Sequence, residues 1–163
     1  MGQVVTLPEL LKIRERLRRE NKRVVFTNGC FDLIHRGHLE FLSKAKALGD
    51  VLIVGVNSDA SVRRIKENGR PICIEDDRTF IVANLSPVDY VCLFEEDTPY
   101  NLIRSLLPDL LVKGADWNPN EIVGKEIVEN AGGTVVSIAF TSNRSTTSII
   151  ETIAQRFPPQ PRR

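Results

Sequence analysis

The stretch Thr27-Asn28-Gly29-Cys30-Phe31-Asp32-Leu33-Ile34-His35-Arg36-Gly37-His38 decides how this chain folds. The apolar run Val24–Phe26 leads into it and is typical of a buried parallel strand. Beyond Gly37 the apolar residues recur every three to four positions, which predicts a helix that begins near His38. A strand, a glycine turn and a helix start form an anion site, because free N–H groups and the helix dipole converge there.

Two histidines, His35 and His38, lie at the predicted helix start. Residues three apart share a helix face, so both rings can reach the same phosphate. A metal pair is the first alternative, but the chain has only these two histidines and no Cys-x-x-Cys, so we assign no metal ligands. The second alternative is an incidental surface pair. The preceding strand and glycine turn favour the phosphate-binding interpretation.

The composition is ordinary for a soluble globular protein. A length of 163 residues suits one domain with a real core, and the net charge of +1 gives no field that favours nucleic acid or a membrane. We find no apolar run of membrane-spanning length and no signal-peptide core. The cysteines are odd in number, which predicts reduced thiols and a cytoplasmic location. Cys30 could be a nucleophile, but no further histidine is available as its base, so a loop or packing role is favoured.

Apolar strands alternate with amphipathic helices along the chain. The predicted strands are Val24–Asn28, Val51–Val56, Asp89–Phe94, Leu110–Val112 and Thr134–Ala139. The predicted helices cover residues 7–20, 38–48, 58–67, 75–85, 122–130 and 145–156. A further helix is predicted between the third and fourth strands, with Asp97 or Thr98 as its cap and Pro99 at its first position. This alternation predicts one α/β domain over residues 1–157, a doubly wound, Rossmann-like sheet of about five parallel strands with helices on both faces. Residues 158–163 are expected to be a disordered tail.

In such sheets, ligands bind beyond the carboxyl ends of the strands, where the strand order reverses. Three further segments follow strands and should meet the histidine motif there: Asn57–Asp59, Lys113–Trp117 and Arg144–Thr147. The hydroxyls and free N–H groups of Ser145–Ser148 can hold phosphate oxygens, although ordinary helix capping needs only one of these residues.

Several charged and aromatic residues are candidates for the rest of the ligand. Lys113 could pair with a phosphate and Asp116 with a hydroxyl-rich group, while Trp117 offers a flat apolar wall; the alternative is an ordinary loop with a solvated lysine. The basic residues Arg63, Arg64, Lys66 and Arg78 could neutralise phosphates or form a solvated charge run. Lys44 and Lys46 are expected to face solvent.

The His-x-Gly-His motif and the Ser-Thr-Thr segment together resemble the cytidylyltransferase-like nucleotidyltransferase superfamily. Further segments resemble its D-glycero-β-D-manno-heptose 1-phosphate adenylyltransferase branch: Asn28–Asp32, Val56–Arg63, Gly69–Pro71, Glu75–Arg78, Val112–Gly114 and Ser145–Thr147. The resemblance covers roughly residues 22–155. In many relatives this domain is fused behind a sugar kinase, and this chain is expected to be the stand-alone form.

The resemblance implies transfer of AMP from ATP to a sugar 1-phosphate, for lipopolysaccharide synthesis, by His35 and His38. Nucleotide contacts are expected at Asn28, Gly29, Cys30, Phe31, Gly37, Arg144, Ser145, Thr146 and Thr147. Substrate contacts are expected at Asp32, Arg63, Arg64, Lys66, Arg78, Lys113, Asp116 and Trp117. Asp32 is also a candidate for orienting the loop or His38. Mg²⁺ is expected to arrive with ATP rather than in a protein cage. Family members are often dimers or higher oligomers.

One segment departs from the branch. Glu-Gly commonly precedes the Ser-Thr-Thr helix, where this chain has Ser142-Asn143-Arg144. Asparagine tolerates the left-handed conformation of glycine, so the turn can survive. The loss of the carboxylate leaves open how the base and ribose are contacted. Arg144 could instead stack on a purine or contact phosphate, or point to solvent. Two other functions stay open, a cytidylyltransferase acting on glycerol 3-phosphate or a similar acceptor, and a nucleotide-binding regulatory module with an inactive site.

Overall fold

The computed structural model describes residues 1–66, 69–114, 122–139 and 145–158. The strands are β1 (Gln3–Val4), β2 (Val24–Gly29), β3 (Val51–Asn57), β4 (Tyr90–Phe94), β5 (Leu110–Gly114) and β6 (Thr134–Ile138). The helices are α1 (Leu7–Arg19), α2 (Arg36–Lys46), α3 (Asp59–Ile65), α4 (Glu75–Ala83), α5 (Tyr100–Leu106), α6 (Lys125–Asn130) and α7 (Thr146–Arg156). The Asp116, Trp117 and Arg144 predictions lie outside the described residues.

The six strands of the described residues form one parallel sheet in the order β1-β4-β3-β2-β5-β6. The predicted parallel α/β architecture is therefore confirmed, and the count of about five strands is short by one. The missed strand is β1, whose two residues pair with Tyr90 and Val91 of β4. Two residues are too few to show a period-2 pattern, so this strand exists only because an edge of the sheet is available to it.

Two apolar clusters cover the two faces of the sheet. One contains core residues of α1, α5 and α6, represented by Leu10, Ile103 and Val128. The other contains residues of α2 and α4, represented by Leu42 and Val82. Helices thus pack on both faces, as the alternation of strands and helices predicts. Among the described residues no helix combines the length and the apolar character needed to cross a membrane.

Helix ends differ from the predictions by one to three residues. Helix α2 begins at Arg36, two residues before the predicted start, because His35 already occupies the N-cap in an extended conformation. Pro99 is the N-cap of α5 rather than its first residue, so the predicted cap at Asp97 or Thr98 is wrong. Helix α6 begins at Lys125, after a turn in which the Lys125 N–H donates to the carbonyl of the buried Ile122 (3.1 Å). Such ends depend on tertiary contacts more than on local pattern.

Strand β2 is the point at which the strand order reverses. Its neighbour β3 leads to α3 and α4 and then to β4, whereas its other neighbour β5 leads to α6 and then to β6. Chain leaving β2 and chain leaving β5 turn toward opposite faces, which opens a crevice between their carboxyl ends. The His-x-Gly-His motif follows β2 at this crevice.

Candidate active site

The loop that follows β2 turns sharply at Phe31. This residue has a φ of +50°, in the left-handed region that a bulky side chain rarely adopts, and it is 5% exposed. Its ring lies under the loop, so close that a Cβ on Gly29 would be only 3.1 Å from the ring carbon Cε2. A side chain at position 29 would therefore crowd the Phe31 ring. A left-handed residue next to a strand end exposes successive backbone N–H groups, an arrangement that binds anions.

The two histidine rings lie against each other at the start of α2. Their centroids are 3.9 Å apart, and the His38 ring is also 5.4 Å from that of Phe31. The His38 Nδ1 accepts a hydrogen bond from the His35 backbone N–H (3.3 Å), which leaves Nε2 to carry the proton of the neutral ring. Burial, followed by the neighbouring His35, lowers the pKa of His38 to about 4. At neutral pH His38 is thus an uncharged N–H donor of fixed tautomer.

Lys113, at the end of β5, extends across the crevice to β2. Its ammonium donates to the side-chain oxygen of Asn28, the residue before Gly29. Burial lowers the pKa of Lys113 to about 8. The partner that the structure describes for this ammonium is a neutral amide oxygen. A cation in such a poorly solvated position is well suited to receive an anion, because a bound phosphate would offset the cost of desolvating it.

The start of α7 lies beside the same loop, although 113 residues separate the bonded pair in sequence. The Thr146 hydroxyl donates to the Leu33 carbonyl (3.4 Å). Ser145 is the N-cap, and its hydroxyl accepts from the Ser148 N–H (3.0 Å), which is the capping role considered as the alternative. Thr147 is exposed. The structure therefore brings two candidate phosphate-binding helix starts, those of α2 and α7, next to each other.

Asp32 is directed away from solvent and into the protein. It is 3% exposed, and its carboxylate accepts from the backbone N–H groups of Ile72 (2.8 Å) and Cys73 (2.8 Å) and from the Arg70 guanidinium. Burial alone would raise the pKa of Asp32, but the Cys73 and Ile72 N–H groups and Arg70 together lower it. Asp32 therefore links the loop to residues 70–73 through its hydrogen bonds. These contacts favour the orienting role considered for Asp32 over the predicted substrate contact.

Arg78 is fully buried, and the partners that the structure describes for it are groups of the protein itself. Contact between Arg78 and substrate stays a prediction. Its guanidinium donates to the carbonyls of Cys30 (2.5 Å) and Cys73 (3.0 Å) and to the Asp59 carboxylate (2.8 Å). The anion-binding loop, the α3 start and the segment before α4 thus share one cation. The pattern of a charge run on a helix carried no sign of this burial.

The basic residues of α3 divide into two groups. Arg64 donates to the Asp97 carboxylate (2.6 Å) and to the Glu95 carbonyl (2.5 Å), beyond the end of β4. Arg63 and Lys66 are exposed on and just after the last turn of α3. Lys46 was expected to face solvent, but it forms an ion pair with Asp89 (2.5 Å), while Lys44 is exposed as expected.

Other predicted residues occupy positions consistent with backbone roles. Gly37 is buried in the first turn of α2. Burial raises the pKa of the Cys30 thiol, which disfavours the nucleophilic thiolate. Sequence reasoning assigned no role to Arg70 or to Asp59, the partners of Asp32 and Arg78. Charge complementarity was the only available signal, and it does not identify a partner 38 residues away.

Comparison with known proteins agrees with this geometry. Residues 26–152 match the family model described as cytidylyltransferase-like. The chain is 54% identical over 140 residues to "Bifunctional protein HldE" of Trichlorobacter lovleyi, covering 86% of this chain and 28% of that protein. It is 49% identical over 156 residues to the protein of the same name in Geobacter sulfurreducens, covering 96% of this chain and 32% of that protein. The chain thus spans about a third or less of the length of these curated relatives.

Two solved structures share the fold. The lipopolysaccharide core biosynthesis protein from Thermoplasma volcanium is 29% identical with a TM-score of 0.61, covering 76% of this chain and 99% of that one. The pantoate-beta-alanine ligase from Francisella tularensis, solved with Beta-gamma ATP and Beta-alanine, has a TM-score of 0.62. It covers 90% of this chain and 69% of that one, and at 16% identity it supports the fold alone.

Proposed function

The chain belongs to the cytidylyltransferase-like family, and from this premise we propose that it transfers AMP from ATP to D-glycero-β-D-manno-heptose 1-phosphate. The products would be ADP-heptose and pyrophosphate, for lipopolysaccharide synthesis in the cytoplasm. The observation that carries the proposal is the pair of imidazole rings, 3.9 Å apart, at the start of α2. Two adjacent neutral or cationic N–H donors at a helix N-terminus are suited to the oxygens of a polyphosphate.

The reaction requires little covalent chemistry from the protein. An oxygen of the sugar 1-phosphate attacks the α-phosphorus of ATP, the bond from that phosphorus to the bridging oxygen breaks, and pyrophosphate leaves with the electron pair. Because the nucleophile is already an anion, no general base is required. The protein's tasks are to align two anions and to stabilise the charge that develops on the five-coordinate phosphorus.

His35 and His38 are assigned to that developing charge. The fixed tautomer of His38 presents an Nε2–H donor, and its low pKa keeps the ring neutral, so it donates without adding a proton to the reaction. The backbone N–H groups of the Cys30–Phe31 turn and of the α7 start, at Ser145–Thr147, are assigned to the remaining phosphate oxygens. The Thr146–Leu33 contact supports this division, because it holds both helix starts at one loop.

The cations around the crevice are assigned to phosphate neutralisation. Lys113 would exchange its amide contact with Asn28 for an oxygen of the sugar phosphate or of pyrophosphate. The exposed Arg63 and Lys66 lie on a neighbouring segment and would act on the same groups. Arg78 would act indirectly, by fixing the carbonyl of Cys30 so that the loop N–H groups keep their direction.

Mg²⁺ is proposed as the ion that accompanies ATP. Its preference for oxygen ligands and retained waters suits a triphosphate, where it would shield the negative charge during attack. No cluster of three or more His, Cys, Asp or Glu side chains suited to a metal occurs within the part of the chain that the structure describes. The Asp32 carboxylate is occupied by Arg70 and two backbone N–H groups. Binding of the ion through the phosphates is therefore the form that we propose.

A second candidate is transfer of CMP from CTP to glycerol 3-phosphate or a similar acceptor, which the cytidylyltransferase-like description of the family favours. The heptose assignment is supported by the segments that resemble the heptose branch and by the Thermoplasma protein's connection with lipopolysaccharide core synthesis.

The two candidates are separated by a matrix of the four nucleoside triphosphates against sugar and polyol phosphates, with pyrophosphate release as the readout. We expect the highest initial rate for ATP with heptose 1-phosphate. Faster turnover with CTP would reject the adenylyltransferase assignment. The absence of pyrophosphate release across the whole matrix would favour an inactive nucleotide-binding module.

A further inference from the structure

A cavity of about 530 Å³ lies beyond the carboxyl end of β4 and has not entered the mechanism. Helix α1 contributes Leu7, helix α5 contributes Asn101 and Leu102, and helix α3 contributes Arg64. Its volume is within the range of small-molecule sites, roughly 300–1,000 Å³. We propose that this cavity binds the uncharged, hydroxyl-bearing part of the acceptor, with Glu96 and Asn101 as its specificity-determining residues. The inference rests on the proposed function and assigns the sugar end of its substrate.

The wall of the cavity and the residue that holds Lys113 both approach Gly55. A Cβ at Gly55 would lie 3.0 Å from Phe26, 3.2 Å from Leu102, which lines the cavity, and 3.3 Å from the Cβ of Asn28, which holds Lys113. Leu102 and Asn28 therefore pack against the same glycine, so the cavity wall lies close to the crevice. Strands β2 and β4 are two spacings apart, so the cavity begins about 10 Å from the strand that carries the anion loop.

The polar wall of the cavity is suited to hydroxyl groups rather than to phosphate. It contains the carboxylates of Glu95 and Glu96, and its cation Arg64 is already engaged by Asp97 and by a backbone carbonyl. An excess of negative charge repels a phosphate, whereas carboxylate oxygens are strong acceptors for sugar O–H groups. The Glu96 carboxylate is oriented by the Asn101 side-chain amide (3.1 Å), which in turn offers a second N–H and an oxygen.

The opposite wall is apolar and is supplied by Leu7, Phe94 and Leu102. A sugar ring presents C–H surfaces between its hydroxyls, so one polar and one apolar wall match its two kinds of surface. A nucleobase could also use an apolar wall, but the α2 and α7 starts meet at Leu33 and place the triphosphate there. The nucleotide is therefore expected on the β5–β6 side of β2, which leaves the cavity at β4 to the acceptor.

The position of Glu96 is firmly held by its backbone. Its carbonyl accepts from the buried Ser61 hydroxyl (2.8 Å), which in turn accepts from the Asn57 amide (2.9 Å) at the end of β3. The Phe94 carbonyl accepts from the Ser58 N–H (2.9 Å). The side chains of Glu96 and Asn101 are exposed, so their replacement leaves the core unchanged.

The test compares Glu96→Gln and Asn101→Ala with a matched control, Glu129→Gln, an exposed carboxylate near the C-terminal end of α6 that does not line the cavity. With pyrophosphate release as the readout, each cavity variant should raise the KM for heptose 1-phosphate about five- to thirtyfold, the effect of one lost hydrogen bond to or near a charged group. The KM for ATP should change less than about twofold. The control should change neither KM.

A binding experiment gives a second readout that does not depend on turnover. Heptose 1-phosphate is titrated calorimetrically into each protein in the presence of a non-hydrolysable ATP analogue, and inorganic phosphate is titrated in parallel. We expect the cavity variants to bind heptose 1-phosphate more weakly than the wild type and to bind inorganic phosphate with unchanged affinity.

Each outcome bears on one proposal or on both. An unchanged acceptor KM and affinity in both variants, with an active wild type, would overturn the cavity assignment and leave the proposed function standing. An equal loss of affinity for inorganic phosphate would also overturn the cavity assignment, since the cavity would then bind the phosphate group. A wild type that binds heptose 1-phosphate through Glu96 and Asn101 without releasing pyrophosphate would overturn the function alone. A wild type that does not bind heptose 1-phosphate would overturn both.

Discussion

Replacement of Arg78 by methionine tests how the anion-binding loop is held. The wild-type guanidinium, with no exposed surface, donates to two carbonyls, those of Cys30 and Cys73, and to the Asp59 carboxylate. Methionine fills a similar volume with an unbranched apolar chain but offers no donor. Arg78→Met therefore leaves two carbonyls and one carboxylate without this partner, inside the junction of the loop, α3 and the segment before α4.

The expected destabilisation follows from burial. Breaking a buried ion pair by removal of one member costs about 3–5 kcal/mol, because the charge left behind is uncompensated. The Asp59 side chain is 18% exposed, so water replaces part of the lost interaction and the ion pair alone contributes less than this range. The two carbonyls add an unsatisfied-acceptor cost, which brings the total to about 3–5 kcal/mol. For a domain of this size the melting temperature should fall by about 6–20 °C.

Thermal unfolding followed by circular dichroism measures the effect, with Arg64→Met as the control. Arg64 forms its ion pair with Asp97 at the surface, with side-chain exposures of 49% and 52%, and such pairs contribute about 0–1 kcal/mol. In the Arg78→Met background, Asp59→Asn should recover part of the loss by removing the uncompensated charge. If Arg78→Met melts no lower than Arg64→Met, the guanidinium does not hold the loop and the reasoning from burial is refuted.

The remaining predictions concern the chemistry. His35→Ala and His38→Ala should each lower kcat by about 10²–10³ while circular dichroism shows a folded protein; near-normal turnover in either variant would remove its assigned role. Cys30→Ser should stay active within about tenfold, and a radiolabelled nucleotide trapped on the wild type but not on this variant would show covalent catalysis instead. Since the pKa of Lys113 is about 8, its ammonium is charged at pH 7 and mostly neutral at pH 9. The value of kcat/KM for the acceptor should therefore fall as the pH rises from 7 to 9. If kcat/KM of the Lys113→Gln variant falls over the same pH range, another group is responsible. Arg144→Ala should raise the KM for ATP about three- to thirtyfold if the guanidinium stacks on the base, and an unchanged KM in initial-rate measurements would reject that role alone.

The architecture was predictable from the chain because it depends on local pattern. Apolar runs such as Val51–Val56 indicate strands buried on both faces, and the alternation with helices allows little besides a parallel sheet. The strand at the edge of the sheet could not be predicted from local pattern. Strand β1 has two residues, and the partner that makes them a strand lies 87 residues away at Gln3 and Tyr90. No local pattern reports such a pairing.

Within the site, sequence identified the residues whose chemistry depends on their neighbours in the chain. The spacing of His35 and His38 at a helix start predicts that both rings can reach one phosphate, and the structure places their centroids 3.9 Å apart. Thr146 at a helix start could likewise be assigned from its local sequence, although only the fold shows that it contacts Leu33.

The roles of the charged residues were decided by tertiary structure. Arg63, Arg64 and Arg78 look alike in the sequence, yet Arg63 is exposed, Arg64 forms a surface ion pair and Arg78 is fully buried under the loop. Periodicity reports which face of a helix is apolar, but the energy of a charge depends on its burial and on partners brought from distant segments. The amino-acid sequence by itself therefore determined five of the six described strands, the helices and the histidine pair. Only the folded chain decided which cations face the crevice and which hold it in shape, because burial and long-range pairing exist only once the sheet has assembled.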